Sequence, residues 1–107
     1  MRNKQRTTEF MKPSVALQTY RDRIRLVVET HGARNPRVFG SVVHGTDEEN
    51  SDLDLLVDPI DGRTTLLSLV RIKRDIESLT GVATDVLTPL SLHERFRQIV
   101  LAEAQPV

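Results

Sequence analysis

Two carboxylates stand at alternate positions, Asp52 just before the apolar run LDLLV and Asp54 within it, and ten residues separate Asp52 from the pair Gly40-Ser41. On a strand, side chains alternate between faces, so the two aspartates share one face while Leu53 and Leu55 take the other. Their Cα atoms then lie about 6.5–7 Å apart. Carboxylates are rarely buried without compensation. Two at this spacing can converge on a hard cation, which prefers oxygen ligands. Without a cation, their repulsion raises one pKa or pulls the strand open. Magnesium suits a nucleoside triphosphate substrate, because it takes few carboxylates and shares the phosphate oxygens. Alone, the Asp-x-Asp pair fits a solvent-facing strand end better than a metal site. An EF-hand is excluded, since Asp52 stands where that loop requires glycine.

Gly40-Ser41 supplies a second half. Glycine lets a bulky phosphate approach the backbone, and a serine opening a short helical turn offers a hydroxyl and free amides. Alone this is an ordinary strand-exit turn. Together, one element can grip a triphosphate while the next strand presents carboxylates to the metals bridging it.

The flanking elements must hold these residues in place. PSVALQTYRDRIRLVVETHG places Leu17, Tyr20, Ile24, Val27 and Val28 on one helical face, with Pro13 in the first turn and Gly32 as a left-handed stop. A turn at Asn35-Pro36 leads into a short strand, Arg37 to Phe39, and LDLLV forms the second strand, closed by Pro59. Leu66, Leu69, Ile72, Ile76 and Leu79 recur at helical spacing up to Gly81. A third strand follows over Val82 to Leu87, and Ser91 with Glu94 predicts a capping box before Leu92, Phe96, Ile99 and Val100. The order is helix, strand, strand, helix, strand, helix, an α/β pattern.

At 107 residues the chain is read as a single domain over 13–107 behind a basic arm over 1–12 that is expected to be flexible. Fifteen basic and fifteen acidic residues cancel, so no strong direct nucleic-acid binding is expected. The absence of cysteine excludes disulfides, thiolate zinc sites and cysteine nucleophiles. No run nears the roughly 18 apolar residues of a membrane span. A cytoplasmic protein without membrane attachment is expected. Arg63, Arg71, Lys73 and Arg74 read as a solvated helix face.

Gly40-Ser41, ten residues, then Asp52-Leu53-Asp54 resembles the signature of the DNA polymerase beta-type nucleotidyltransferases. The preceding RVFGS and continuing SDLDLLVD look most like their minimal nucleotidyltransferase branch, over about residues 15 to 105. The resemblance implies a small α/β nucleotidyltransferase fold, a short mixed sheet with helices packed around it. It also implies a third catalytic carboxylate on a later strand, supplied by Asp85 in GVATDVL. Asp52, Asp54 and Asp85 would then be both catalytic and metal-binding, holding two Mg²⁺ ions, while Gly40 and Ser41 hold the β- and γ-phosphates of ATP. In one respect the chain departs from the pattern. His44 stands where many members carry arginine, and neutral histidine does not replace a permanently charged guanidinium on phosphate.

Minimal members of the family pair with a HEPN-domain ribonuclease toxin. The resemblance therefore implies an antitoxin that transfers AMP from ATP to a tyrosine of that toxin and forms a hetero-oligomer with it. Two other readings stay open: an antitoxin that blocks its partner by binding alone, and a nucleotidyltransferase acting on a small molecule such as an aminoglycoside.

Overall fold

The computed structural model describes residues 11–107, so the arm expected over 1–12 falls almost wholly outside the described residues. Pro13 stands in the first turn of helix α1 (Pro13–Thr30), where a missing amide costs nothing. The helix buries Ala16, Leu17, Ile24 and Val28, and Tyr20 marks a kink (φ −114°, ψ 20°). It stops at Gly32, whose φ of +79° matches the left-handed exit expected there.

Lys12, at the start of α1, provides no side-chain cap. A distant residue does so instead: the Ser14 amide donates to Asp47 Oδ2 at 2.8 Å. Burial opposes ionisation of Asp47, yet the hydrogen bonds from Ser14 hold its carboxyl below the usual value. Asp47→Ala is expected to cost about 1 kcal/mol at pH 7, as for a lost helix cap. Because the folded pKa is lowered, this stabilisation is present above the unfolded value near 3.8 and is lost as pH falls through the folded one. Urea titrations of both proteins at pH 7 and pH 3 measure it, and the gap should narrow in acid.

Strand β1 (Ala33–Phe39) is longer than the expected Arg37–Phe39. Asn35-Pro36 is a bulge within it and not a turn before it: Asn35 has φ +53°, and the pairing with the next strand shifts register between Arg34 and Arg37. Asn35 Nδ2 donates to Asp58 at 2.8 Å and Arg37 pairs with the same carboxylate, which fastens the bulge. Then follow α2 (Ser41–His44), β2 (Leu53–Pro59), α3 (Leu66–Thr80) and β3 (Thr84–Leu87), the last shorter than the expected Val82–Leu87. A 3₁₀ turn (Pro89–Ser91), α4 (Glu94–Glu103) and β4 (Gln105–Pro106) complete the order.

The sheet runs β3-β2-β1-β4. β1 is antiparallel to both β2 and β4, while β2 and β3 are parallel, with α3 as the crossover that parallel strands require. Leu53, Leu55 and Val57 alternate onto one face and pack with Ile24 and Val28 of α1 and Ile72 and Ile76 of α3 in one core. The other face of β2 carries Asp54, Leu56 and Asp58.

Two expectations at the C-terminal end are corrected. Ser91 and Glu94 do not cap α4. Ser91 instead closes the 3₁₀ turn with Thr88, their hydroxyls 2.8 Å apart, and His93 Nδ1 caps α4 by accepting from the Arg95 amide at 3.1 Å. Pro89 favours this tight turn and displaces the helix start. Of the apolar stripe, only Leu92 is buried, and it precedes α4; Phe96 and Ile99 are exposed. Beyond α4, Gln105 and Pro106 pair with β1, and Val107 enters the core.

Candidate active site

β1 ends at Phe39, and the chain turns at Gly40 into the single helical turn α2. Gly40 has φ +77° and ψ −144°, a conformation nearly restricted to glycine. A Cβ there would lie 2.2 Å from Asp54 Oδ2 and 3.2 Å from its Cγ. Glycine is therefore required twice, for the backbone and for contact between the α2 turn and the Asp54 carboxylate. Gly45, in the left-handed region at φ +71°, closes α2.

Asp54 is a half-buried residue in the second position of β2. It lies in register with Phe39 of β1 on one side and Asp85 of β3 on the other. Partners in register share a face, so the two carboxylates stand side by side on adjacent strands. Asp52 lies just before β2, and it and Asp85 are both exposed. Burial pushes the Asp54 carboxyl up to about 6, and the negative charges of Asp85 and Asp52 push it the same way. Thus Asp52, Asp54 and Asp85 share one electrostatic neighbourhood, with Gly40 against its central member.

Among the described residues, no three His, Cys, Asp or Glu side chains are drawn together closely enough to hold one ion. A donor set of carboxylate oxygens on an open face, one already raised by its neighbours, suits a hard divalent cation. The residues fit Mg²⁺. A cleft of about 790 Å³ beside the start of β2 and β3 is lined by Lys12, Glu48–Ser51 and Gly81–Ala83, but by none of the five expected site residues. The cleft therefore does not coincide with the face of β2 that bears Asp54.

His44 does not stand free. Its Nε2 lies 2.7 Å from Glu103 Oε1, which ties α2 to the end of α4. The expected solvated basic face of α3 is also corrected at Lys73. Its Nζ donates to Glu77 Oε2 at 3.0 Å and to the Thr84 carbonyl at 2.8 Å, while the Thr84 amide donates to Glu77 Oε2 at 2.9 Å. Thr84 immediately precedes Asp85. Neither Glu77 nor Glu103 was marked by the sequence. The Lys73/Glu77 spacing of four is a helix-pair signal, but what it grips depends on the crossover packing.

The family model described as nucleotidyltransferase domain matches residues 23–107. The protein adenylyltransferase MntA of Thermococcus cleftensis is 36% identical over 75 residues, covering 70% of this chain and 75% of the relative. A solved structure assigned as a minimal nucleotidyltransferase superposes with a TM-score of 0.71 at 46% identity, covering 85% of this chain and 95% of that one. A toxin–antitoxin crystal structure with AMP-PNP shares the fold at TM-score 0.67 and 20% identity, over 79% of this chain and 69% of that one.

Proposed function

This chain belongs to the nucleotidyltransferase domain family, in its minimal adenylyltransferase branch, and on that premise we propose that it is the antitoxin of a HEPN ribonuclease toxin, which it silences by transferring AMP from ATP to a tyrosine hydroxyl. The observation that carries the reading is the seat of Gly40 against Asp54, with Asp85 in register beside it. A phosphate-gripping turn and paired carboxylates then address one substrate.

In this reading Gly40 and Ser41 hold the β- and γ-phosphates, which presents the α-phosphorus for in-line attack. Asp52, Asp54 and Asp85 would draw together to hold Mg²⁺, which when bound would neutralise the charge of the triphosphate and leaving group. Asp85 orients the acceptor hydroxyl and takes its proton. The tyrosine oxygen forms a bond to the α-phosphorus, the bond to the bridging oxygen breaks, and pyrophosphate leaves. The MntA relative is named a protein adenylyltransferase, and the AMP-PNP complex is a toxin–antitoxin pair, which supports both nucleotide and partner class.

One observation favours a second reading, an antitoxin acting by binding alone: His44 fills the arginine position and is held by Glu103. Labelled ATP and Mg²⁺ are incubated with the protein, with and without its toxin partner, and each chain is weighed by mass spectrometry. The expected result is one or more adenylyl groups on a partner tyrosine. An unmodified partner that is nonetheless inhibited would overturn the catalytic reading in favour of binding.

A further inference from the structure

Among the described residues, β3 is an edge strand, bonded to β2 on one side only. Its outward backbone groups therefore need partners from elsewhere, and only pairing with β2 ties the strand to the sheet. It also has a reason to move. Asp85 stands in register with Asp54, and like charges on neighbouring strands repel. In a four-residue strand, little backbone pairing opposes that push.

Two side chains of α3 act as a surrogate for the missing neighbour strand. Glu77 Oε2 accepts the Thr84 amide at 2.9 Å, Lys73 Nζ donates to the Thr84 carbonyl at 2.8 Å, and the two are joined to each other at 3.0 Å. The Thr84 carbonyl belongs to the same planar peptide unit as the Asp85 nitrogen. Holding that carbonyl fixes the plane from which the Asp85 side chain departs. The amide on the other side of Thr84 is held by Glu77, so both peptide units flanking Thr84 are fastened. The hydrogen bond from Thr84, followed by its contact with Lys73, keeps the Glu77 carboxyl below its ordinary range despite partial burial, so it stays charged. Thr84 is buried, which anchors the clamp against the core.

We infer that Lys73 and Glu77 are positioning residues for AMP transfer: they hold edge strand β3 against the repulsion of Asp54 so that Asp85 stays level with it. The inference rests on the catalytic reading of Asp85. Neither side chain touches substrate in this account, and both act through the backbone of Thr84. The nucleotide turn at Gly40 lies on the β1 side of Asp54, away from the clamp.

The test compares Glu77→Ala, Glu77→Gln, Lys73→Met and Asp85→Asn with wild type, assayed with the toxin partner as acceptor and by the rise in Tm on adding Mg²⁺ and ATP. Glu77→Ala is expected to lower kcat about 10- to 100-fold, the range for lost support of a metal-binding residue, with KM for ATP little changed. Its Mg²⁺-dependent Tm rise should shrink. Glu77→Gln keeps an acceptor for the Thr84 amide and should recover most of both. Lys73→Met, which removes the contacts with the Thr84 carbonyl and with Glu77 but leaves the Glu77 acceptor for the Thr84 amide, should show the same split if Glu77→Ala fails to fold. In an Asp85→Asn background, adding Glu77→Ala should cost no further activity, because the clamp then positions a side chain already disabled. Wild-type kcat and Tm rise in folded Glu77→Ala and Lys73→Met, with Asp85→Asn inactive, would overturn the clamp alone. An Asp85→Asn variant with full activity would overturn the reading of Asp85 on which the clamp rests.

Discussion

An Asp54→Asn variant is expected to transfer no measurable AMP and yet to melt higher than wild type when both are free of metal at pH 7.5. Loss of activity follows from removing the carboxylate between the nucleotide turn and Asp85. Deleting one preorganised electrostatic contact at a reacting centre costs about 10²–10³-fold, and loss of a shared metal ligand, the role proposed for Asp54, should cost at least that. The gain in stability follows from the raised carboxyl. Asp54 titrates near 6 in the fold against 3.8 ordinarily. Below the unfolded value it is neutral in both states and imposes no penalty. As pH rises towards and through 6, the unfolded chain ionises more readily, and stability is lost. The full shift would correspond to nearly 3 kcal/mol, but the half-exposed side chain is screened, and about 1 kcal/mol is the better expectation. For a domain of this size that is a Tm difference of about 4 °C. Melting curves in chelator between pH 4 and pH 8 measure it. The difference should shrink to a small fraction by pH 4 and reach its full value above pH 6. A mutant that melts lower at pH 7.5, or a gap independent of pH, would remove Asp54 from a repulsive cluster.

Of that cluster, the Asp52/Asp54 pair and its side of the strand were legible from types and spacing. Alternation on LDLLV put Asp54 and Leu53 on opposite faces, and the strand obeys it, with Leu53, Leu55 and Val57 in the core. Local signals also placed Pro13, Gly32 and Gly81 correctly, since each acts through its own backbone. What the chain did not disclose lies in contacts between distant segments. Asn35-Pro36 has the composition of a turn, but pairing of both flanks with β2 turns it into a bulge. Ser91 and Glu94 have capping-box spacing, but Thr88 competes for Ser91. Gln105 and Pro106 carry little strand propensity and form a strand only because β1 offers a free edge. At the site, the same division holds. Asp52, Asp54 and the Gly-Ser pair form a local pattern, whereas Asp85 needed the family resemblance, because its register with Asp54 depends on the crossover through α3. His44 was visible as a departure, but its bond to Glu103, 59 positions away, was not.

Gly40→Ala is expected to be as inactive as Asp54→Asn, but for the opposite reason and with the opposite effect on stability. The added methyl would stand 2.2 Å from Asp54 Oδ2 and 3.2 Å from Cγ, too close for either atom to remain. Asp54 cannot retreat by its backbone, because β2 is paired on both sides there. Its carboxylate must rotate away from the turn and towards Asp85, where its charge is least welcome. Alanine also resists φ +77°, which costs about 1–3 kcal/mol for a non-glycine residue. Together these give a loss of about 2–3 kcal/mol and a fall in Tm of about 10 °C. Two causes contribute, and a double-mutant cycle separates them. In an Asp54→Ala background the carboxylate is gone, and the nearest remaining atom of that side chain, its Cβ, lies at an ordinary 3.5 Å. There Gly40→Ala should cost only the backbone strain, so the two substitutions should couple by about 1 kcal/mol or more. Urea unfolding of the four proteins in chelator gives the coupling directly. If Gly40→Ala costs the same in both backgrounds, the glycine serves the backbone alone, and the close seat of the turn on Asp54 is not what selects it.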